Sequence, residues 1–347
     1  MNGRLSNPAA PARDSALDAL RILACLLVVA NHTLGYALNT GAPGAELFYC
    51  LLFSLCKAGV TLFVMVSGIL LLDREDGFRK TGRRILRVLV PLLAVSALLA
   101  WKDEGLAGLA PLRFLASFLR DPRRAPYWYL YALIGFYLLL PFLQKMTRGF
   151  RLADYAAFSG LFLLLPCALD ILRVFCGLEL SGAFSLSVLP RFVTVAVCGA
   201  FAARLPARRN GIALSLLLFL LGWFGSFASF YFPFLSSGSI SYALDSWDLL
   251  PAVLMAGSLV CLFRASGVGG GLGERGKRAL RELSGMTFGV YLLHPVFEHR
   301  VFLLPFVQAV YAHSVCLGVA LFALTLVLVC AAVSFLLRRI PVVREYL

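Results

Sequence analysis

The stretch LDALRILACLLVVANHTLGYALN, residues 17–39, decides how the chain is interpreted. It is long and apolar enough for a transmembrane helix, since about 20 residues span the hydrocarbon core of a bilayer. Asp18 and Arg21 lie near its start and His32 near its end. In a helix, Arg21 and His32 are three turns and about 20° apart, on one face, with a rise of about 16 Å between them. Ionisable groups are costly inside a membrane, so this face is a candidate functional site.

The composition extends this interpretation to the whole chain. Of the 347 residues, 60% are hydrophobic and only 14% are charged. A soluble domain is about half apolar and about a quarter charged. The apolar runs lack the period of two that is typical of membrane β-strands. The sequence therefore predicts an all-α polytopic membrane protein.

The formal net charge of +14 does not indicate a nucleic-acid partner. The basic residues lie at the ends of apolar runs, as expected of topology signals and contacts with membrane lipid headgroups. The nine cysteines lie mostly inside apolar runs and show no metal-ligand spacing. We therefore expect small packing residues there rather than a metal site.

Ten apolar runs predict ten transmembrane helices, because each has about the length that crosses the hydrocarbon core. The segment before the first run is a polar tail at 1–16, and the segment after the last run is a basic tail at 338–347. Residues 17–337 are therefore predicted to form one transmembrane domain. The ten runs fall near residues 17–39, 49–72, 86–101, 126–143, 153–176, 188–204, 212–232, 247–263, 285–304 and 315–337.

The distribution of basic residues predicts the orientation. With the N-terminus in the cytoplasm, the segments on the cytoplasmic side carry most of the 32 lysines and arginines. The positive-inside rule then places both termini in the cytoplasm and predicts a multi-pass protein of the cell (inner) membrane. On the opposite side, the longest loop contains PLRFLASFLR at 111–120, whose apolar residues follow a helical spacing. We expect that helix to lie flat in the membrane interface.

The first span offers the clearest candidates for chemistry. His32 suits general-base catalysis because the pKa of histidine lies near neutral pH. Asp18 and Arg21 are three residues apart, a spacing at which they can form an ion pair on the helix surface. Such a pair either ends the span at the interface or lies where an anionic ligand approaches. We assign His32, Arg21 and Asp18 to a predicted catalytic face.

A second group of candidates is the basic segment before the third span. Arg83, Arg84 and Arg87 lie where that helix begins. Anchoring by the positive-inside rule is one explanation. The other is phosphate binding, because several guanidinium groups at one helix end can hold a phosphate. We predict a phosphate-binding role for these three residues.

Aromatic residues mark two further positions. Tyr127 and Trp128 open the fourth span, where an interfacial aromatic belt or a platform for a sugar or lipid headgroup is expected. Tyr291 and His294 are three residues apart on the ninth span and therefore share a face, with Pro295 following directly. We expect these four side chains to bind a substrate.

With these motifs the chain resembles the acyltransferase 3 family, the multi-spanning membrane acyltransferases that modify bacterial surface polysaccharides. The resemblance covers nearly the whole chain and rests on five motifs in order. These are Leu17-Asp18-Ala19-Leu20-Arg21 with His32, like the arginine–ten residues–histidine motif of the family; Gly59 to Gly68; Arg84 and Arg87 with Pro91; Trp128-Tyr129-Leu130 with Tyr137 and Pro141; and Phe288 to Pro295.

The resemblance implies how the residues are used. It implies an acyl-CoA donor, usually acetyl-CoA, that arrives from the cytoplasm as a substrate and is no bound cofactor. It implies that His32 is the essential catalytic histidine and Arg21 its partner in the motif. Ser67, from the second-span motif, joins the predicted substrate-binding residues. The family usually has paired phenylalanines in that motif, where this chain has Leu62 and Phe63.

The sequence therefore predicts an integral membrane O-acyltransferase. Its partners would be acyl-CoA, membrane lipid and a glycan or lipid-linked sugar acceptor. A transporter or flippase of lipid-linked sugars is the alternative, although it predicts two related halves with interrupted helices, which the sequence does not show. A structural partner of a polysaccharide synthase would leave the cost of a histidine inside the membrane unexplained.

Overall fold

The computed structural model describes residues 14–39, 45–177, 190–207, 211–238 and 247–346. Within these ranges the regular structure is helical and no strand is present. The helices are α1 Ser15–Asn39, α2 Glu46–Cys56, α3 Ala58–Leu71, α4 Phe78–Glu104, α5 Pro111–Arg120, α6 Trp128–Thr147, α7 Leu152–Ser159, α8 Leu165–Cys176, α9 Arg191–Arg204, α10 Gly211–Ser237, α11 Leu250–Ala265, α12 Glu274–Phe302, α13 Pro305–His313, α14 Val315–Leu337 and α15 Pro341–Arg344.

Helices coincide with every predicted span. In the described ranges, seven helical segments are long and apolar enough to cross a membrane: Ser15–Asn39, Glu46–Leu71, Phe78–Leu109, Ala125–Thr147, Leu152–Leu169, Gly211–Ser236 and Val315–Leu337. The other three predicted spans correspond to α9, α11 and α12, of which α9 has 14 residues and α11 has 16. The prediction of a helical membrane protein is confirmed, whereas the count of ten spans and the side of the two termini stay predictions.

Helix α1 lies inside the bundle rather than at its edge. It contacts α2, α3, α11, α12 and α14. Leu20, Ala24 and Val29 on α1 have no exposed surface. Arg21 and His32 thus lie on one continuous helix, as predicted, and that helix is surrounded by the others. The bundle therefore fixes the positions of both side chains.

Helices α3 and α9 cross at very close range. A Cβ added at Gly68 on α3 would lie on the backbone carbonyl of Ala196, and one added at Gly199 on α9 would lie 2.5 Å from the carbonyl oxygen of Met65. Small residues at a crossing allow helix backbones to approach in a membrane protein. The close approach buries most of the short helix α9 and holds α3 beside α1.

The long loop at 102–125 forms the predicted amphipathic helix. Helix α5 buries Phe118, whereas Leu112 and Leu119 are 85% and 70% exposed. Arg123 pairs with Glu104 and Arg124 pairs with Asp103, which ties the loop to the end of α4. The helix is confirmed, and its exposed leucines have the character of a surface that lies on a bilayer.

Candidate active site

A basic cavity of about 600 Å³ opens at the end of the bundle where α1 and α4 begin and α14 ends. We call it the arginine cavity. Arg21 of the predicted catalytic face lines it, as do Arg84 and Arg87 of the predicted phosphate-binding group and the predicted substrate-binding residues Ser67 and Tyr291. The charged side chains of its lining are Arg21, Arg84, Arg87, Arg338, Arg344 and Glu345. Five guanidinium groups against one carboxylate make a site suited to a multiply charged anion such as a nucleotide.

One of these arginines is held by the protein itself. Arg84 Nη2 lies 2.7 Å from Asp76 Oδ2, and the Asp76 side chain is only 4% exposed. The backbone N–H of Asp76 donates to Gln144 Oε1 at 3.2 Å, and Gln144 Nε2 donates to the carbonyl of Leu71. Burial alone would raise the pKa of the Asp76 carboxyl, but the Arg84 guanidinium holds that pKa below its ordinary value. Arg84 therefore both orders the loop and lines the cavity.

The other arginines of the cavity carry uncompensated charge. In the part of the chain that the structure describes, no carboxylate lies within ion-pair distance of Arg21, Arg87, Arg338 or Arg344. The predicted ion pair between Asp18 and Arg21 is therefore not formed. Asp18 is buried and does not line the cavity, while the Arg21 side chain faces it. These charges are available to a ligand.

A second cavity surrounds His32. The larger part, about 430 Å³, is lined by His32, Asn31, Lys57, Arg124 and Glu298, with Tyr36, Phe53 and Pro295 among its other residues. An adjoining part, about 120 Å³, shares Asn31, His32 and Lys57 and adds Trp128 and Trp247. We call the two parts together the histidine chamber. Polar groups of both signs and two indoles make it suited to a hydroxyl-rich ligand.

His32 presents its imidazole to this chamber. Among the described residues no hydrogen bond to its side chain is present. The Asn31 Oδ1 atom beside it is buried and likewise lacks a partner there. Unpaired polar atoms in the wall of a cavity are costly, and a ligand hydroxyl would satisfy them.

His294 lies between the two cavities. Its ring stacks on His32 at 5.2 Å between centroids and contacts the Tyr291 ring at 5.6 Å. His294 Nδ1 donates to the carbonyl of Tyr291 at 2.7 Å, so the neutral ring keeps Nε2 as an acceptor. That Nε2 is buried and has no partner among the described residues. His294 therefore connects a wall of the arginine cavity to the imidazole of the histidine chamber.

An aromatic layer lines the arginine cavity beside His294. Phe63 contacts Tyr129 at 6.0 Å and Tyr291 at 6.2 Å, and Tyr129 contacts Tyr291 at 5.5 Å, all between ring centroids. All three rings line the arginine cavity. Phe63, from the predicted second-span motif, thus forms part of this layer.

The remaining predicted site residues have structural positions or lie elsewhere. Tyr127 is fully buried, and its hydroxyl donates to the carbonyl of Leu292 at 2.9 Å. The Tyr291 hydroxyl donates to the carbonyl of Pro126. Two reciprocal hydrogen bonds therefore hold the segment at the start of α6 against α12. Trp128 contacts Trp247 at 5.4 Å and lines the histidine chamber. Arg83 is exposed and is not part of the arginine cavity.

Several cavity residues were not predicted. Arg338 and Arg344 were assigned only to a basic tail, because a terminal basic segment is the usual result of the positive-inside rule. Asn31 and Lys57 carried a usable signal, since both are polar residues within apolar runs. Trp247 and Glu298 carried none, because a tryptophan or an acid at the end of a span is common.

Together these features define a helical membrane protein in which the rings of Tyr291, His294 and His32 connect an arginine-lined cavity to an imidazole-lined chamber. The sequence profile of the acyltransferase 3 family, described as an acyltransferase domain, matches residues 14–339. The chain belongs to this family and is a membrane acyltransferase. Among curated proteins and among solved structures, no significant match to the chain was found.

Proposed function

We propose that the protein is an O-acyltransferase that moves an acyl group, acetyl being expected, from acyl-CoA to a hydroxyl of a cell-surface polysaccharide or a lipid-linked glycan. The single observation that carries the proposal is the continuous series of rings Tyr291, His294 and His32, which leads from the arginine cavity to the histidine chamber. A donor and an acceptor held on opposite sides of this series would meet at His32.

The donor would occupy the arginine cavity. The cavity faces the cytoplasm if the positive-inside rule holds, which is where acyl-CoA is available. Arg21, Arg84 and Arg87 would contact the phosphates. The rise of about 16 Å from Arg21 to His32 is comparable to the length of an extended pantetheine arm. The thioester would pass the layer of Phe63 and Tyr291 to approach His32.

The acceptor would occupy the histidine chamber on the other side of the membrane. A sugar ring would stack on the indoles of Trp128 and Trp247, which lie 5.4 Å apart. Its hydroxyls would satisfy Asn31 and His32, whose polar atoms lack partners among the described residues. This arrangement supports a hydroxyl as the acceptor group.

His32 would handle the proton. Its imidazole would take the proton of the acceptor hydroxyl while that oxygen attacks the thioester carbonyl. The C–S bond then breaks, and the departing thiolate of CoA takes the proton back from the imidazolium. In the alternative route, a ring nitrogen of His32 would attack the thioester carbonyl and the C–S bond would break, giving an acyl-histidine and the thiolate of CoA. The acceptor hydroxyl would then attack this acyl group, the acyl–nitrogen bond would break, and the hydroxyl proton would pass to the thiolate. Both routes use the same histidine and give the same O-acyl product.

Transfer of radiolabel from acetyl-CoA by the purified protein in detergent tests the proposal. Label that becomes attached to a glycan through an alkali-labile ester supports it. Movement of unmodified lipid-linked sugar across proteoliposomes, without incorporation of label, would instead support the flippase. Mass spectrometry of surface glycans from cells with and without the protein would then identify the acceptor.

A further inference from the structure

We infer that the segment from Arg338 to Tyr346, here called the C-terminal arm, forms one wall of a phosphate site that selects a nucleotide-borne acyl donor. This inference rests on the proposed function and adds residues that neither the family motifs nor the sequence patterns assign. The arm supplies Arg338, Arg344, Glu345 and Tyr346 to the lining of the arginine cavity. It faces Arg84 and Arg87, which come from the start of α4.

Arg338 is directed into the cavity by a glycine on the neighbouring helix. A Cβ added at Gly285 on α12 would lie 3.1 Å from Arg338 Nη1 and 3.2 Å from Nη2. The guanidinium therefore lies against the bare backbone of α12, and most side chains at position 285 would push it away. Gly285, Thr287 and Phe288 line the same cavity, so this contact places the Arg338 charge on its wall.

The neighbouring residue Arg339 does not share the orientation of Arg338. Arg339 lies over the ring of Phe335 at 4.9 Å, on an exposed surface of α14. It is not part of the arginine cavity. Two consecutive arginines therefore point to different surroundings, and only Arg338 faces the ligand space.

The arm folds back after Arg339 and brings further groups to the cavity. Helix α15 begins at Pro341, and the backbone N–H groups of Arg344 and Tyr346 donate to the carbonyls of Ile340 and Val343 at 2.9 Å and 3.0 Å. No described carboxylate forms an ion pair with Arg338 or Arg344. Two unpaired guanidinium groups and a phenol on one wall are the groups that bind phosphates and stack on a base.

The C-terminal arm would distinguish between two classes of donor. Coenzyme A carries phosphates and an adenine beyond its pantetheine arm, whereas pantetheine alone carries neither. The arm would contact only the nucleotide part and would therefore contribute more to the KM for acetyl-CoA than to that for S-acetylpantetheine. An anionic lipid headgroup offers the same phosphate chemistry, so the experiment includes one.

The test compares acetyl-CoA with S-acetylpantetheine as donors for purified wild-type protein, Arg338→Ala, Gly285→Leu and two controls. We expect Arg338→Ala to raise the KM for acetyl-CoA about 10-fold, as loss of one charge-assisted phosphate contact does. Gly285→Leu should reproduce that effect by displacing the guanidinium. In both variants the loss should be larger with acetyl-CoA than with S-acetylpantetheine, which lacks the phosphates that Arg338 would contact. The controls Arg339→Ala and Gly135→Leu, where a Cβ meets no atom within 4 Å, should match wild type with both donors.

Three results would overturn the inference. One is an unchanged KM for acetyl-CoA in Arg338→Ala. Another is an equal loss with both donors, which would make the arm a support of the fold. The third is a pair of observations. Phosphatidylglycerol vesicles inhibit wild type but not Arg338→Ala, and the KM of Arg338→Ala for acetyl-CoA is unchanged. This result would assign the site to a lipid headgroup. A wild-type protein that transfers from neither donor would instead contradict the proposed function.

Discussion

The two cavities differ in the chemistry of their walls although both are built on α1. The arginine cavity has guanidinium groups from three parts of the chain and is suited to bind charge. The histidine chamber has one imidazole, two amides and two indoles, together with lysine and arginine side chains and one glutamate of opposite charge. A predominantly basic cavity is suited to hold an anionic ligand, whereas a mixed wall around an imidazole is suited to move a proton. With the function proposed above, helix α1 would carry a binding end at Arg21 and a reacting end at His32.

Removing the imidazole should produce the largest effect, because it acts on the reacting end alone. We expect His32→Ala to lower the rate of acetyl transfer about 100- to 10,000-fold, the usual contribution of a general base. Binding of acetyl-CoA, measured by calorimetry in detergent, should be retained. His313→Ala, at an exposed position, serves as the control. A His32→Ala variant with a normal rate would remove the catalytic role from the histidine chamber.

Removing Arg21 should act on the binding end. We expect Arg21→Ala to raise the Kd for acetyl-CoA about 10- to 100-fold, because a charge-assisted contact to phosphate is lost. The rate at saturating donor should change much less than in His32→Ala. Arg79→Ala, an exposed arginine outside the cavity, is the matched control. Unchanged affinity in Arg21→Ala would exclude Arg21 from the donor site and weaken the distinction between the two cavities.

The indoles of the histidine chamber should have a smaller effect, specific to the acceptor. We expect Trp128→Ala to raise the KM for the glycan acceptor about 3- to 10-fold, the loss of one stacking contact, while the KM for acetyl-CoA is unchanged. Trp101→Ala, a tryptophan that is 55% exposed, should behave as wild type. If Trp128→Ala instead raised the KM for the donor, the assignment of ligands to the two cavities would be reversed.

The smallest expected effect concerns stability at the arginine end. Asp76→Asn removes the ion pair with Arg84 and should lower the Tm in detergent at pH 7 by about 2–6 °C, for a loss of about 1–3 kcal/mol. The pKa of the Asp76 carboxyl is lower in the folded protein than in the unfolded chain, where it is about 3.9. The contribution is therefore complete above about pH 4 and is lost as the pH falls through the lower folded value.

Thermal unfolding of wild type and Asp76→Asn across this pH range measures that contribution. The two Tm values should converge only in the acidic range. Asp121→Asn, at an exposed aspartate, is the control. A Tm difference that stays constant down to the lowest pH would show that the ionised carboxylate is not the source of the stability.

Sequence patterns predicted which residues line the two cavities better than they predicted the contacts that these residues make. Arg84 was predicted as a phosphate ligand, and it lines the arginine cavity, but its partner Asp76 was not expected. Tyr127 was predicted to bind substrate, whereas its buried hydroxyl bonds to the carbonyl of Leu292. Aromatic and basic residues at span ends have several structural roles with the same sequence pattern. The pattern alone therefore does not distinguish a residue that lines a cavity from one that bonds two helices together.

By itself, the sequence determined the class of the protein, a helical membrane protein, and the common face of Arg21 and His32, because helical periodicity relates residues close in the chain. Only the tertiary structure decided that His32 stacks on His294, that Arg338 lies against Gly285, and that Asp18 leaves Arg21 unpaired. Apolar helices resemble one another and resemble lipid, so hydrophobicity does not specify which of them meet. Close packing at small residues decides this, and it brings residues distant in the chain into one site.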